Sequence, residues 1–221
     1  MRVITLFFLS LFLILNCSQR RVDEETDVVL YREGVKYLQD GVFLGISDPD
    51  SAIEKFEALI EKWPWSKYLP DAKLGIADAH YKKGEYSIAA DYYDEFLKLY
   101  PSHSKVPYAM FMAGKSYYEI LDSFDRDVSS VENAIRILSE FLRKYPDDEN
   151  WEEANKILKE CKRAVSKRYL YIAKYYLRRG LYMSAIPRLE AFKTFLSDTE
   201  EYDEAMKLLE EINRKLQGSE R

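Results

Sequence analysis

Two cysteines and two histidines are the residues of this chain with the most chemistry open to them near neutral pH. Only the thiolate of a cysteine is a strong nucleophile, and a neutral imidazole binds metals or moves protons. Cys17 follows an apolar run, Val3 to Leu15, and precedes the polar Ser18-Gln19-Arg20-Arg21. Cys161 falls instead in a three-and-four pattern with Ala154, Ile157, Leu158, Val165, Tyr169, Ile172 and Tyr176. It reads as a small buried hydrophobe. His80 and His103 have no second His or Cys at metal-ligand spacing. The pairs Asp147-Asp148 and Glu152-Glu153 sit at helix starts, where acidic side chains favour the macrodipole. Asp122 to Asp127, DSFDRD, has calcium-like carboxylates but lacks the Gly and terminal Glu of an EF-hand, so it reads as a structural loop. There is no glycine-rich phosphate loop, nucleophile elbow or Cys–His pair. The expectation is a chain that is not an enzyme and uses no metal and no dissociable cofactor.

Charge offers a stronger lead. The chain has a net charge of -5, so as a whole it has no nucleic-acid footprint. Residues 22–150 carry 15 basic and 26 acidic side chains, whereas residues 151–196 carry 11 basic and 4 acidic. Lys156, Lys159, Arg163 and Lys167 step along one helical edge, and Arg178, Arg179 and Arg188 cluster near the next turn. That segment is either a solvated face or a docking surface for an acidic partner, where charge sets register and encounter rate.

The elements that must position these residues are helices. Ala89, Tyr93 and Phe96 share one face of an amphipathic helix that Pro101 ends. The same spacing recurs in Ala52, Phe56, Leu59 and Pro64, and in Ala134, Leu138, Phe141 and Pro146. It recurs once more in Ala185, Leu189 and Phe192, with Ser197 at the proline position. Each copy has a partner helix marked by a small residue, Gly34, Ala77, Gly114 or Ala173. An aromatic follows three positions later: Tyr37, His80, Tyr117 or Tyr176. Gly41, Gly84 and Gly180 end three of those helices. This pattern resembles the tetratricopeptide repeat. The predicted fold is all-α, a solenoid of four helical hairpins plus a C-terminal capping helix over Glu201 to Leu216. Trp151 to Arg179 has no Gly or Pro and predicts one long helix or two nearly continuous ones. Extra residues in the first and third copies read as loop insertions between paired helices.

The N-terminal apolar run is too short to cross a bilayer, which takes roughly 20 residues. With Arg2 ahead of it, it reads as a signal peptide. Ile14-Leu15-Asn16-Cys17 resembles a bacterial lipobox, although Asn16 stands where Gly, Ala or Ser is usual. The resemblance implies cleavage before Cys17 and lipid on its sulfur, with Ser18 directing release to the outer membrane. The expected organisation is a lipoprotein signal peptide over 1–16 and a lipidated tether over 17–27. Repeats one to three then occupy 28–146, and the long helix, fourth repeat and cap occupy 147–217.

Four stretches carry a closer resemblance: KWPWSKY (62–68), LKLYPSHSKVPYAMFMAG (97–114), FDRD (124–127) and YIAKYYLRRGLYMSAIPRLEAF (171–192). In these the chain resembles the YfiO (BamD) family of outer-membrane β-barrel assembly lipoproteins, over roughly residues 28–215. Trp63 replaces the family's usual Tyr, and the family's fifth repeat is cut short. The resemblance implies a non-enzymatic, lipid-anchored scaffold on the periplasmic face of the outer membrane. Its implied partners are the periplasmic domain of the central barrel subunit, other assembly lipoproteins and unfolded barrel proteins. Arg188 matches the family's docking arginine, and Arg178, Arg179 and Lys167 lie in the same basic segment. Trp63, Trp65, Tyr68 and Tyr108 either line a substrate groove or pack between repeats. The competing expectation is another envelope repeat lipoprotein, associated with cell division, peptidoglycan or a secretin.

Overall fold

The computed structural model describes residues 26–39, 47–120 and 129–218. The leader, Cys17, most of the tether, Gly41 and the DSFDRD loop lie outside the described residues. The described chain falls into two compact units that divide between His103 and Ser104. The first holds α1 (Asp27–Gln39), α2 (Pro49–Lys62), α3 (Leu69–Lys82) and α4 (Tyr86–Leu99). The second holds α5 (Val106–Glu119), α6 (Ser129–Lys144), α7 (Trp151–Arg178), α8 (Tyr182–Thr194) and α9 (Tyr202–Gly218).

Within each unit every helix packs on the next in sequence, and α1 also touches α3, α5 touches α7, and α7 touches α9. This consecutive packing of helical hairpins is that of a tetratricopeptide-like solenoid. The pairs α1–α2, α3–α4, α5–α6 and α7–α8 are the four predicted hairpins, and α9 is the cap. The stretch after Trp151 is one helix of 28 residues.

The repeated positions form the core. Ala52, Phe56, Leu59, Ala89, Tyr93, Phe96, Ala134, Leu138, Phe141, Ala185, Leu189 and Phe192 are all 0% exposed. Glycine is needed opposite the bulkiest of them. A Cβ on Gly34 or Gly75 would come within 2.5 Å of the Phe56 ring, and one on Gly114 within 2.5 Å of Leu138. Tyr93 brings a hydroxyl into the core, and that hydroxyl donates to Asp78 Oδ1 at 2.6 Å. A buried phenol without such a partner would be costly.

Two kinds of turn join the helices. Gly84 (φ 76°) and Gly180 (φ 70°) adopt the left-handed conformation that side chains disfavour. The amides after them, of Glu85 and Leu181, reach back to the carbonyls of His80 and Tyr176 at 3.0 Å, closing a Schellman cap. Between hairpins a second turn recurs. The amides of Trp63, Tyr100, Tyr145 and Phe195 each bond the carbonyl four residues earlier, which ends α2, α4, α6 and α8. Ala72, Ala109, Ala154 and Ala205 then lie in the first turn of the next helices, each eight residues after Pro64, Pro101, Pro146 or Ser197. All four alanines are 0% exposed. This second small-residue register was readable in the sequence, because an alanine eight past each turn is what a close helix entry demands.

Candidate functional site

The chemistry-bearing residues of the described chain are held in structural roles. His80 Nδ1 lies 2.6 Å from Glu85 Oε2, and its ring stacks on Tyr92 at 5.2 Å. Lys83 also reaches Glu85, at 3.1 Å, and Asp50, at 2.8 Å. The bonds from His80 and Lys83 hold the Glu85 carboxyl below its usual range. These side chains lock the α3–α4 turn onto α2. Cys161 is fully buried, and burial pushes its thiol up to about 12, with Glu160 adding to the shift. Tyr118 donates to the Glu160 carboxylate, and that bond pushes its phenol up to about 12. A thiol so held is not a nucleophile at neutral pH. Among the described residues no group of three His, Cys, Asp or Glu side chains is arranged to hold a metal ion.

The basic face is built by α7 and the turn into α8. Lys156, Lys159, Arg163 and Lys167 are all exposed, on the side of α7 opposite Ala154, Cys161, Val165 and Ala173. Part of the segment's charge is already matched. Lys162 pairs with Asp198 at 2.8 Å, and Lys174 pairs with Glu204 at 2.5 Å. Arg178 and Arg179 are exposed at the end of α7, with the Arg179 guanidinium 4.8 Å above the Tyr175 ring. Arg188 is half-buried in α8, and its Nη1 lies 3.5 Å from the Ser184 carbonyl one turn earlier. Pro187 beside it cannot donate to the Met183 carbonyl, so that acceptor is left without its helical donor.

Four further residues belong to this face and were not assigned to it from sequence. Tyr171, Tyr175, Leu181 and Met183 are 69%, 39%, 49% and 72% exposed. The signal was present, because Arg163, Lys167, Tyr171, Tyr175 and Arg179 recur every four residues. That spacing puts the two tyrosines on the basic stripe and off the apolar face of Tyr169, Ile172 and Tyr176. Exposed aromatic and apolar side chains thus share this segment with exposed arginines, a composition that suits partner binding.

The predicted groove aromatics belong to one turn and one helix. Trp63, Trp65 and Tyr68 share the turn between α2 and α3. Trp63 packs against the core of the first unit, and Tyr68 stacks on Tyr31 with ring centroids 4.7 Å apart. Trp65 is 80% exposed. Tyr108 belongs to α5 of the second unit and is 37% exposed.

The chain is similar to known proteins over most of its length. Residues 23–221 match the family profile YfiO, described as outer membrane lipoprotein. The outer membrane protein assembly factor BamD of Vibrio cholerae serotype O1 is 28% identical over 204 residues, covering 87% of this chain and 82% of that protein. The factor of the same name from Pasteurella multocida is 25% identical over 223 residues, covering 96% and 84%. That of Neisseria meningitidis serogroup B is 25% identical over 183 residues, covering 78% and 68%.

Proposed function

Because the chain belongs to the YfiO family of outer membrane lipoproteins, we propose that it is a scaffold of the outer-membrane β-barrel assembly machinery. The match over residues 23–221 carries this reading, supported by relatives named as outer membrane protein assembly factors. Those names do not favour the alternative of a division-associated, peptidoglycan-associated or secretin-associated lipoprotein. The work is binding rather than catalysis. The repeats supply rigid, packed helices, and their titratable side chains clamp turns and neighbouring helices.

The scaffold is held on the periplasmic face of the outer membrane by lipid on Cys17. No described helix is long and apolar enough to cross a membrane. Its partner surface is the basic face of α7 and α8. Arg188, Arg178, Arg179 and Lys167 contact the periplasmic domain of the central barrel subunit, and the exposed Tyr171 and Met183 supply apolar area beside them. Charge there sets orientation and encounter rate, while buried aromatics and arginines carry most of the affinity. Other assembly lipoproteins and unfolded barrel proteins are the remaining partners.

Affinity purification of the full chain and of Arg188→Glu tests the docking surface. The variant keeps its helix content and recovers less of the central barrel subunit. Equal recovery by both chains contradicts the assignment.

A further inference from the structure

We infer that Trp65 is an interfacial anchor that sits in the phospholipid leaflet carrying the Cys17 lipid. This inference rests on the lipidation of Cys17 proposed above. Trp65 is 80% exposed, unusual for so large an apolar ring. Its backbone is nevertheless fixed. The Ser66 amide donates to the Trp63 carbonyl at 2.9 Å, and the Leu69 amide donates to the Ser66 carbonyl at 3.1 Å. The Ser66 hydroxyl donates to Asp27 Oδ2 at 2.6 Å, tying the turn to the first residue of α1. Tyr68, in the same turn, stacks on Tyr31 of α1. The protein therefore presents an exposed indole on a backbone-tied turn, beside the point where the chain enters its first described helix.

That point is close to the lipid. Cys17 and Asp27 are ten residues apart, which bounds their separation at about 35 Å. The tether therefore keeps the Trp65 turn, bonded to Asp27 through Ser66, within reach of the bilayer. A weak contact at such a distance becomes effectively intramolecular and gains from a high local concentration. The chemistry fits a lipid headgroup region. An indole has an apolar body and one N–H donor, the reason tryptophan is enriched at membrane interfaces. Lys62 and Lys67 stand on either side of it in sequence and are exposed, the Lys67 ammonium 4.9 Å from the Tyr68 ring centroid, and a lysine stem is long enough to carry charge to a phosphate level. One acyl attachment point and one aromatic contact together fix orientation as well as attachment, which a single attachment point alone does not.

The test uses full-length lipidated chain in vesicles of phosphatidylethanolamine and phosphatidylglycerol, with bromine on the acyl chains near the headgroups. Bromine quenches only tryptophan that reaches the leaflet. Of the three tryptophans, the share of emission belonging to one should be quenched. Trp65→Ser should abolish that quenching while lipid attachment, checked by mass, and helix content stay unchanged. A lipidated chain whose tryptophan emission is unaffected by brominated lipid overturns the inference and leaves Cys17 lipidation standing. A chain with no lipid on Cys17 overturns both. Protection of Trp65 only after addition of an unfolded barrel polypeptide also overturns it, and assigns the indole to substrate instead.

Discussion

In the first unit, Phe56 fills the space left by Gly34 and Gly75; in the second, Leu138 fills the space beside Gly114. Both units thus pack a large side chain against a glycine on a facing helix. Their surfaces differ. Among the described residues of the first unit, Trp65 is the most exposed large hydrophobic, on a turn tied to α1. In the second, Tyr171, Tyr175, Leu181 and Met183 are exposed together, among Lys167, Arg178 and Arg179. The repeat dictates an interior and leaves its rim free. What distinguishes the units is therefore what each presents outward: one indole on the turn tied to α1, and a run of exposed apolar and basic side chains on α7 and α8.

If the interiors are equivalent, core truncations in either unit should cost alike. Phe56→Ala and Phe141→Ala should each destabilise the fold by about 3–5 kcal/mol, read from denaturant unfolding. A large loss from one and none from the other would break the equivalence. Gly114→Ala should cost about 1–3 kcal/mol, because its methyl would meet Leu138. Gly84→Ala meets nothing and should cost only about 1 kcal/mol, from its positive φ.

Alkaline pH should separate the units. Burial holds the Cys161 proton to about 12 against an ordinary 9.0, and the bond to Glu160 holds that of Tyr118 to about 12 against 10.0. The folded chain therefore binds these protons more tightly than the unfolded one. The stability they contribute is fully present below pH 9 and is lost as pH rises from 9 towards 12. Both residues lie in the second unit. Unfolding followed through Cys161 accessibility should shift in that window, and Cys161→Ala with Tyr118→Phe should flatten the dependence. The smallest effect belongs to the rim. Arg178→Glu with Arg179→Glu should change stability by less than about 0.5 kcal/mol. The same pair should weaken recovery of the central barrel subunit, so its effect is on binding and not on folding.

The interior was legible in the sequence because packing has a period. Ala and an aromatic or aliphatic residue at fixed offsets, followed by proline in three copies and Ser197 in the fourth, identify four hairpins, and every one of those alanine, aromatic and aliphatic positions is fully buried. The glycine stops at Gly84 and Gly180 were legible for the same local reason, since only glycine adopts that φ at little cost. The rim was less legible. Tyr171 and Tyr175 sit in an aromatic-rich stretch where Tyr169 and Tyr176 are inward, and only the helical phase separates them. The neighbours Trp63 and Trp65 could not be told apart by type. Trp63 packs on the core while Trp65 points to solvent, a difference made by the turn that Ser66 ties to Asp27.

The central claim is that this chain serves the assembly of many barrels and not one. Quantifying outer-membrane barrel proteins after depletion of the chain tests it most directly. Many unrelated barrels should fall together and recover when the wild-type chain is restored, with Arg188→Glu restoring them less well. A fall confined to one barrel, or unchanged barrel levels, would contradict the account.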